Sequence, residues 1–88
     1  MRTSAPSAYF EKKLKKFVFA HPELRSRITE IINTLLVDPL SRKYKAHKLS
    51  SPLQGCYGVS ISFGYRIVYT FDKENIYLLN IGSHDEVY

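Results

Sequence analysis

Arg66, His84 and Tyr88 are the residues of this chain whose types could do chemistry together. Arg66 stands in an otherwise apolar run with Ile67, Val68, Tyr69 and Phe71, so a strand there must point it toward an open sheet face. On such a face its planar fork of donors suits a phosphate; a salt bridge to Asp85 or Glu86 is the equal alternative. His84 and Tyr88 follow the last apolar run, just past Gly82, where glycine lets the backbone turn and leaves both side chains at the sheet's rim. An imidazole can act as general acid or base, although one exposed histidine near a chain end is usually idle. Tyr65 and Tyr88 can stack on unpaired bases, but seven tyrosines in a chain without tryptophan serve equally well as core and rim packing.

The other reactive types carry less. His21 precedes Pro22 at a helix junction, with no second His, Cys or carboxylate at metal-ligand spacing, so it reads as a hinge and no metal site is expected. Cys56 reads as a small half-buried residue at a strand start, because nothing nearby in sequence would lower its pKa.

The elements that must position these groups follow from periodicity. Phe10, Leu14, Phe17, Val18 and His21 recur at helical spacing, with Ser4 or Ser7 as N-cap and lysines on the remaining faces. His21-Pro22-Glu23 ends that helix and starts the next, whose stripe is Leu24, Ile28, Ile31, Ile32, Leu35 and Leu36, stopped by Asp38-Pro39. A basic connector over residues 40–55 holds Tyr44, His47 and a short strand near residues 46–49. Residues 56–62 alternate, with Tyr57, Val59 and Ile61 on one face and Gly58, Ser60 and Ser62 on the other; Gly58 marks a bulge or a close approach. A tight turn at Ser62-Phe63-Gly64 leads into a strand over 65–71, and a polar turn into the last strand, 76–81. Residues 2–5 are either an edge strand or a loose end. The expected fold class is α+β: one domain over residues 1–88, an N-terminal helical hairpin packed on one face of a small antiparallel sheet, the other face basic and concave.

Composition bounds the function. With 44% hydrophobic and 24% charged residues the chain is an ordinary globular one, and no apolar run is long enough to cross a bilayer. No signal peptide is expected, and a single cysteine suits a reducing cytoplasm. The net charge is +5, and residues 39–71 contain no acidic residue while holding Arg42, Lys43, Lys45, Lys48 and Arg66. That asymmetry suits nucleic acid phosphate, an acidic protein partner, or simply a solvated face.

Read together, Tyr44-Lys45-Ala46-His47-Lys48-Leu49, Pro52-Leu53-Gln54-Gly55, Gly64-Tyr65-Arg66-Ile67-Val68-Tyr69 and Ile81-Gly82-Ser83-His84-Asp85-Glu86-Val87-Tyr88 resemble RelE/ParE-superfamily toxins of bacterial toxin–antitoxin pairs, near the RelE/StbE and YafQ branches. The resemblance covers nearly the whole chain. It implies a ribosome-associated endoribonuclease that cuts translated mRNA, held in check by a cognate antitoxin, in an assembly such as a heterotetramer. It also implies roles: Arg66 on the phosphate, His84 and His47 as proton carriers, Tyr88 closing the site, and Lys43, Lys45, Lys48 and Tyr65 holding RNA. The implied reaction is attack of a 2′-hydroxyl on the adjacent phosphorus, which needs neither metal nor cofactor. The sequence departs from the pattern where the RelE branch has strand lysines, at Tyr57 and Val59. It departs again at Ser60, Gly64 and Asn80, where the YafQ branch has a histidine, an aspartate and an arginine. The rivals are a ParE-like domain that inhibits gyrase without cutting anything, and a degenerate toxin that only binds its antitoxin.

Overall fold

Ser7 opens the first helix by accepting a hydrogen bond from the Phe10 N–H at 3.0 Å, the N-cap arrangement that satisfies a free helical donor. In the computed structural model, which describes Met1–Tyr88, this helix, α1, spans Ala8–Ala20. Pro22 denies it continuation, and a 3-10 turn over Pro22–Leu24 leads into α2, Arg25–Val37. Phe10 and Phe17 of α1 and Ile28, Ile31 and Leu35 of α2 point into one core, with Leu14, Val18, Ile32 and Leu36 partly buried beside them. The helical stripes are the ones the periodicity predicts.

The sheet has five strands: β1 Thr3–Pro6, β2 His47–Lys48, β3 Tyr57–Ser62, β4 Tyr65–Phe71 and β5 Asn75–Ser83. Their order across the sheet is β1-β5-β4-β3-β2. The β2-β3-β4-β5 pairings are antiparallel, as expected. The addition is β1, which pairs in parallel with β5 from Thr3↔Asn75 to Pro6↔Leu78. Its side chains are mostly exposed, so backbone hydrogen bonding holds it, and a proline is tolerated because the strand is an edge.

Both helices lie on one face. Val59, Ile61, Ile67, Tyr69, Ile76, Leu78 and Ile81 meet them from the sheet, and Tyr44 from the connector, to complete a thirteen-residue core. Tyr69 is wholly buried and its hydroxyl donates to the Pro39 carbonyl, which ties β4 to the segment after α2; burial pushes its phenol pKa well up. Between Val68↔Asn80 and Tyr69↔Leu78 the register skips Leu79, a bulge that bends β5. Val68 and Val87 are buried outside the main core. Val87 belongs to a one-turn helix, α3 (His84–Val87), which follows β5 directly; Gly82, expected to turn the chain just past the last strand, lies inside β5 instead. No helix is long and apolar enough to cross a membrane.

Candidate functional site

The site is assembled on α3. Ser83 caps it with a reciprocal pair: its Oγ accepts from the Glu86 N–H at 3.3 Å, and Glu86 Oε1 accepts from the Ser83 N–H at 3.0 Å. The Ser83 N–H, then the Ser83 hydroxyl and Lys13, hold the Glu86 carboxyl below its usual range. Lys13 Nζ of α1 stands 3.6 Å from the other Glu86 oxygen, and the His84 N–H donates to the Gly64 carbonyl at 2.8 Å. The turn is thus tied to α1 and to the β3–β4 hairpin, and it fixes His84 at one end and Tyr88 just beyond the other.

The Tyr88 ring is the centre of the site. His84 meets it edge-on with ring centroids 4.6 Å apart, and His47 meets it edge-on at 6.4 Å. The phenol seats over Gly58, where an added Cβ would collide with the Tyr88 hydroxyl. Gly58 is therefore a close approach of one element to another. Burial pushes the Tyr88 phenol up, while the neighbouring Arg66 charge and hydrogen bonding pull the other way.

His47 reaches the ring because β2 pairs His47 with Gly58. Its Nδ1 lies 2.9 Å from the Lys45 carbonyl. A carbonyl only accepts, so in the neutral ring Nδ1 carries the hydrogen and Nε2 is left as the acceptor. Lys45 itself has a left-handed backbone, φ 58°, closing a 3-10 turn over Arg42–Tyr44.

Arg66 Nη1 donates to the Tyr65 carbonyl at 3.0 Å, and to Ser60 Oγ and the Ser62 carbonyl at 3.3 Å each. All three are neutral, and no carboxylate lies within 4 Å of the guanidinium. The expected alternative, a bridge to Asp85 or Glu86, does not form: Glu86 is engaged by Ser83 and Lys13, and Asp85 points into solvent 3.6 Å from His84 Nδ1. A half-buried guanidinium held only by dipoles favours an anion.

Two residues expected to hold RNA lie elsewhere. Tyr65 packs against Phe17 and His21 of the α1 side, at centroid distances of 5.2 and 4.7 Å. Neighbours along a strand face opposite ways, so Tyr65 and Arg66 cannot share a face. There it lines a cleft of about 460 Å³ with Lys13, Lys16, His21 and Glu86. Lys43 is bound to Glu30 of α2 at 2.8 Å, which raises its pKa, and lies 5.4 Å from the Tyr44 ring centre. Lys45 and Lys48 are exposed, though Lys48 pairs with Tyr57 and so faces away from His47. Tyr57 and Val59 belong to the helix-covered face, Val59 fully buried, so a lysine at either position could not serve the open face. Ser60, on that open face, takes part by holding Arg66. No group of three or more His, Cys, Asp or Glu converges anywhere in the chain.

Among solved structures, a metal-bound toxin from Helicobacter pylori shares 28% identity over the full length of both chains, with a TM-score of 0.85. YafQ from Escherichia coli BL21(DE3) shares 20% over all of this chain and 99% of that one, with a TM-score of 0.82. The YafQ chain of the E. coli DinJ–YafQ complex shares 21% over 100% and 99%, with a TM-score of 0.80. No curated protein matches. A family model described as the bacterial toxin of type II toxin–antitoxin systems, YafQ, matches residues 2–88. With the helical hairpin, the five-stranded sheet and nearly the whole sequence accounted for by that model, the chain belongs to the YafQ family of type II toxins.

Proposed function

We propose that this toxin is an endoribonuclease that cuts mRNA on the ribosome, in the cytoplasm, until a cognate antitoxin covers it. The observation that carries the reading is the Arg66 guanidinium, unpaired with any carboxylate and set beside a tyrosine flanked by two imidazoles. Arg66 would hold the scissile phosphate and stabilise the charge that builds on its oxygens during attack. The adjacent 2′-hydroxyl attacks phosphorus as the bond to the 5′ oxygen breaks, leaving a cyclic phosphate on one fragment and a hydroxyl on the other. One imidazole of the His47 and His84 pair accepts the attacking proton, and the other protonates the leaving oxygen. Tyr88, whose phenol is pushed up and so keeps its proton, orients the reacting groups between them.

The antitoxin part is supported by the family's type II description and by the E. coli DinJ–YafQ complex. The acid-free stretch from residue 39 to 71 suits an acidic segment of such a partner. The test is induction without the antitoxin, with transcript ends mapped. Cuts inside translated codons, abolished by His84→Gln, Arg66→Ala and Tyr88→Ala without loss of fold, are the expected result. The double change at His84 and Arg66 should be little worse than either alone, because the groups act as one unit. Intact transcripts with a DNA-damage response would refute the reading in favour of a gyrase poison, and intact transcripts with no growth defect in favour of a toxin that only binds its antitoxin.

A further inference from the structure

Phe63 stands at the tip of the β3–β4 hairpin with its side chain wholly in solvent, at 102% exposure. Exposure alone says little, since Phe19 at 88% and Val37 at 72% are also bare. Its position distinguishes it. The turn needs no aromatic there: Gly64 supplies the left-handed residue, φ 87°, and the position before such a glycine suits proline or a polar residue. The same few residues carry the site. The carbonyls of Ser62 and Tyr65, on either side of the Phe63-Gly64 tip, hold Arg66, and the Gly64 carbonyl accepts from the first residue of α3. Three residues of chain, at most about 10 Å when extended, separate Phe63 from the phosphate-binding arginine. Tyr88 supplies a second aromatic ring close to that arginine.

We propose that Phe63 is a base-stacking residue of this toxin, taking the face of an unpaired base of the RNA strand whose phosphate rests on Arg66. The proposal builds on the ribonuclease reading above. A cation with a free phenyl ring three residues away and a second, partly exposed ring beside it, in a stretch from residue 39 to 71 without a single carboxylate, suits single-stranded nucleic acid bound by stacking and charge. Phe63 thereby adds to catalytic efficiency and contributes nothing to folding.

Phe63→Ala should lower kcat/KM for cleavage of mRNA on programmed ribosomes by roughly 5- to 150-fold, the worth of one base–aromatic stack. Its Tm and its affinity for the antitoxin should be unchanged. Phe63→Trp, which keeps an aromatic plane, should cleave near the parental rate, whereas Phe63→Leu, apolar without one, should match alanine. Parental cleavage by the alanine or the leucine variant overturns the proposal and leaves the ribonuclease reading standing. Weakened antitoxin binding with unchanged cleavage also overturns it, placing the ring in a protein interface. Absence of cleavage by the parental protein defeats the ribonuclease reading itself, and the stacking role with it.

Discussion

Gly58→Ala should destabilise this protein only while Tyr88 is present. The backbone at Gly58 does not need glycine for its own sake, since its φ is not positive. An alanine in a strand interior is worth about 0.5–1 kcal/mol over glycine, so the change alone should stabilise. The obstacle is the Tyr88 hydroxyl, which occupies the space a Cβ would take; Leu49 Cδ2, the next side chain out, is at an ordinary 3.4 Å. The ring must therefore lift off the sheet. Tyr88 is 37% exposed. If full burial of a large side chain is worth about 1.5–3 kcal/mol, expelling one that is two-thirds buried forfeits about 1–2 kcal/mol. The coupling between the two positions should then be about 1–2 kcal/mol, measured by denaturant unfolding of the two single variants and the double variant. In the Tyr88→Ala background Gly58→Ala should raise Tm by a few degrees, since 1 kcal/mol moves a domain of this size by about 4–8 °C. Cleavage by Gly58→Ala should fall as far as in Tyr88→Ala, because the same ring has left the same place. Equal stabilisation in both backgrounds, or parental cleavage by Gly58→Ala, would refute the seating of Tyr88 on this glycine.

Arg66→Lys keeps the charge but replaces a planar fork with a single ammonium, so cleavage should fall by roughly 10- to 100-fold with Tm little changed; parental kinetics would show that charge alone suffices. Glu86 has a folded pKa below its unfolded one, so its contribution is present above the ordinary carboxylate range and is lost as pH falls through the depressed value. Glu86→Gln keeps an acceptor for the cap but does not titrate, so between neutrality and about pH 3 its Tm should fall less steeply than the parental one; parallel curves would refute the assignment. Tyr69→Phe leaves the Pro39 carbonyl without its buried donor and should cost about 1–3 kcal/mol in unfolding experiments, with an unchanged value showing that water replaces the phenol.

The parts of the fold written in the sequence are those where one residue type repeats at one period. The stripes Phe10–Leu14–Phe17 and Ile28–Ile31–Leu35 need only a shared face, and they are buried as the 3.6-residue period requires. The alternation of β3 is equally local. β1 has no such pattern: Thr3, Ser4, Ala5 and Pro6 are held by the backbone of β5, and backbone pairing leaves no mark on side-chain choice. α3 leaves no periodic mark for a different reason: one turn is too short for periodicity. Its signature was nonetheless present as Ser83-x-x-Glu86, a serine followed three residues later by glutamate. The place of Tyr65 is legible in the sequence: strand neighbours alternate, so an Arg66 on the open face puts Tyr65 on the helix-covered one, against Phe17 and His21.

What could not be read was how charges pair across the chain. Arg66 had Asp85 and Glu86 within plausible reach, and Lys43 had no carboxylate near it in sequence. Folding reverses both expectations: α2 brings Glu30 to Lys43 at 2.8 Å, while the cap of α3 turns Glu86 toward Ser83 and Lys13. In both cases a helix sets the direction of the carboxylate, α2 presenting Glu30 to Lys43 and α3 turning Glu86 to its own cap and Lys13. One lysine expected to bind RNA is thereby neutralised. Arg66 is left with neutral partners, Ser60, Ser62 and Tyr65, because Glu86, one of the two carboxylates within its reach in sequence, serves as a helix cap and meets Lys13 instead.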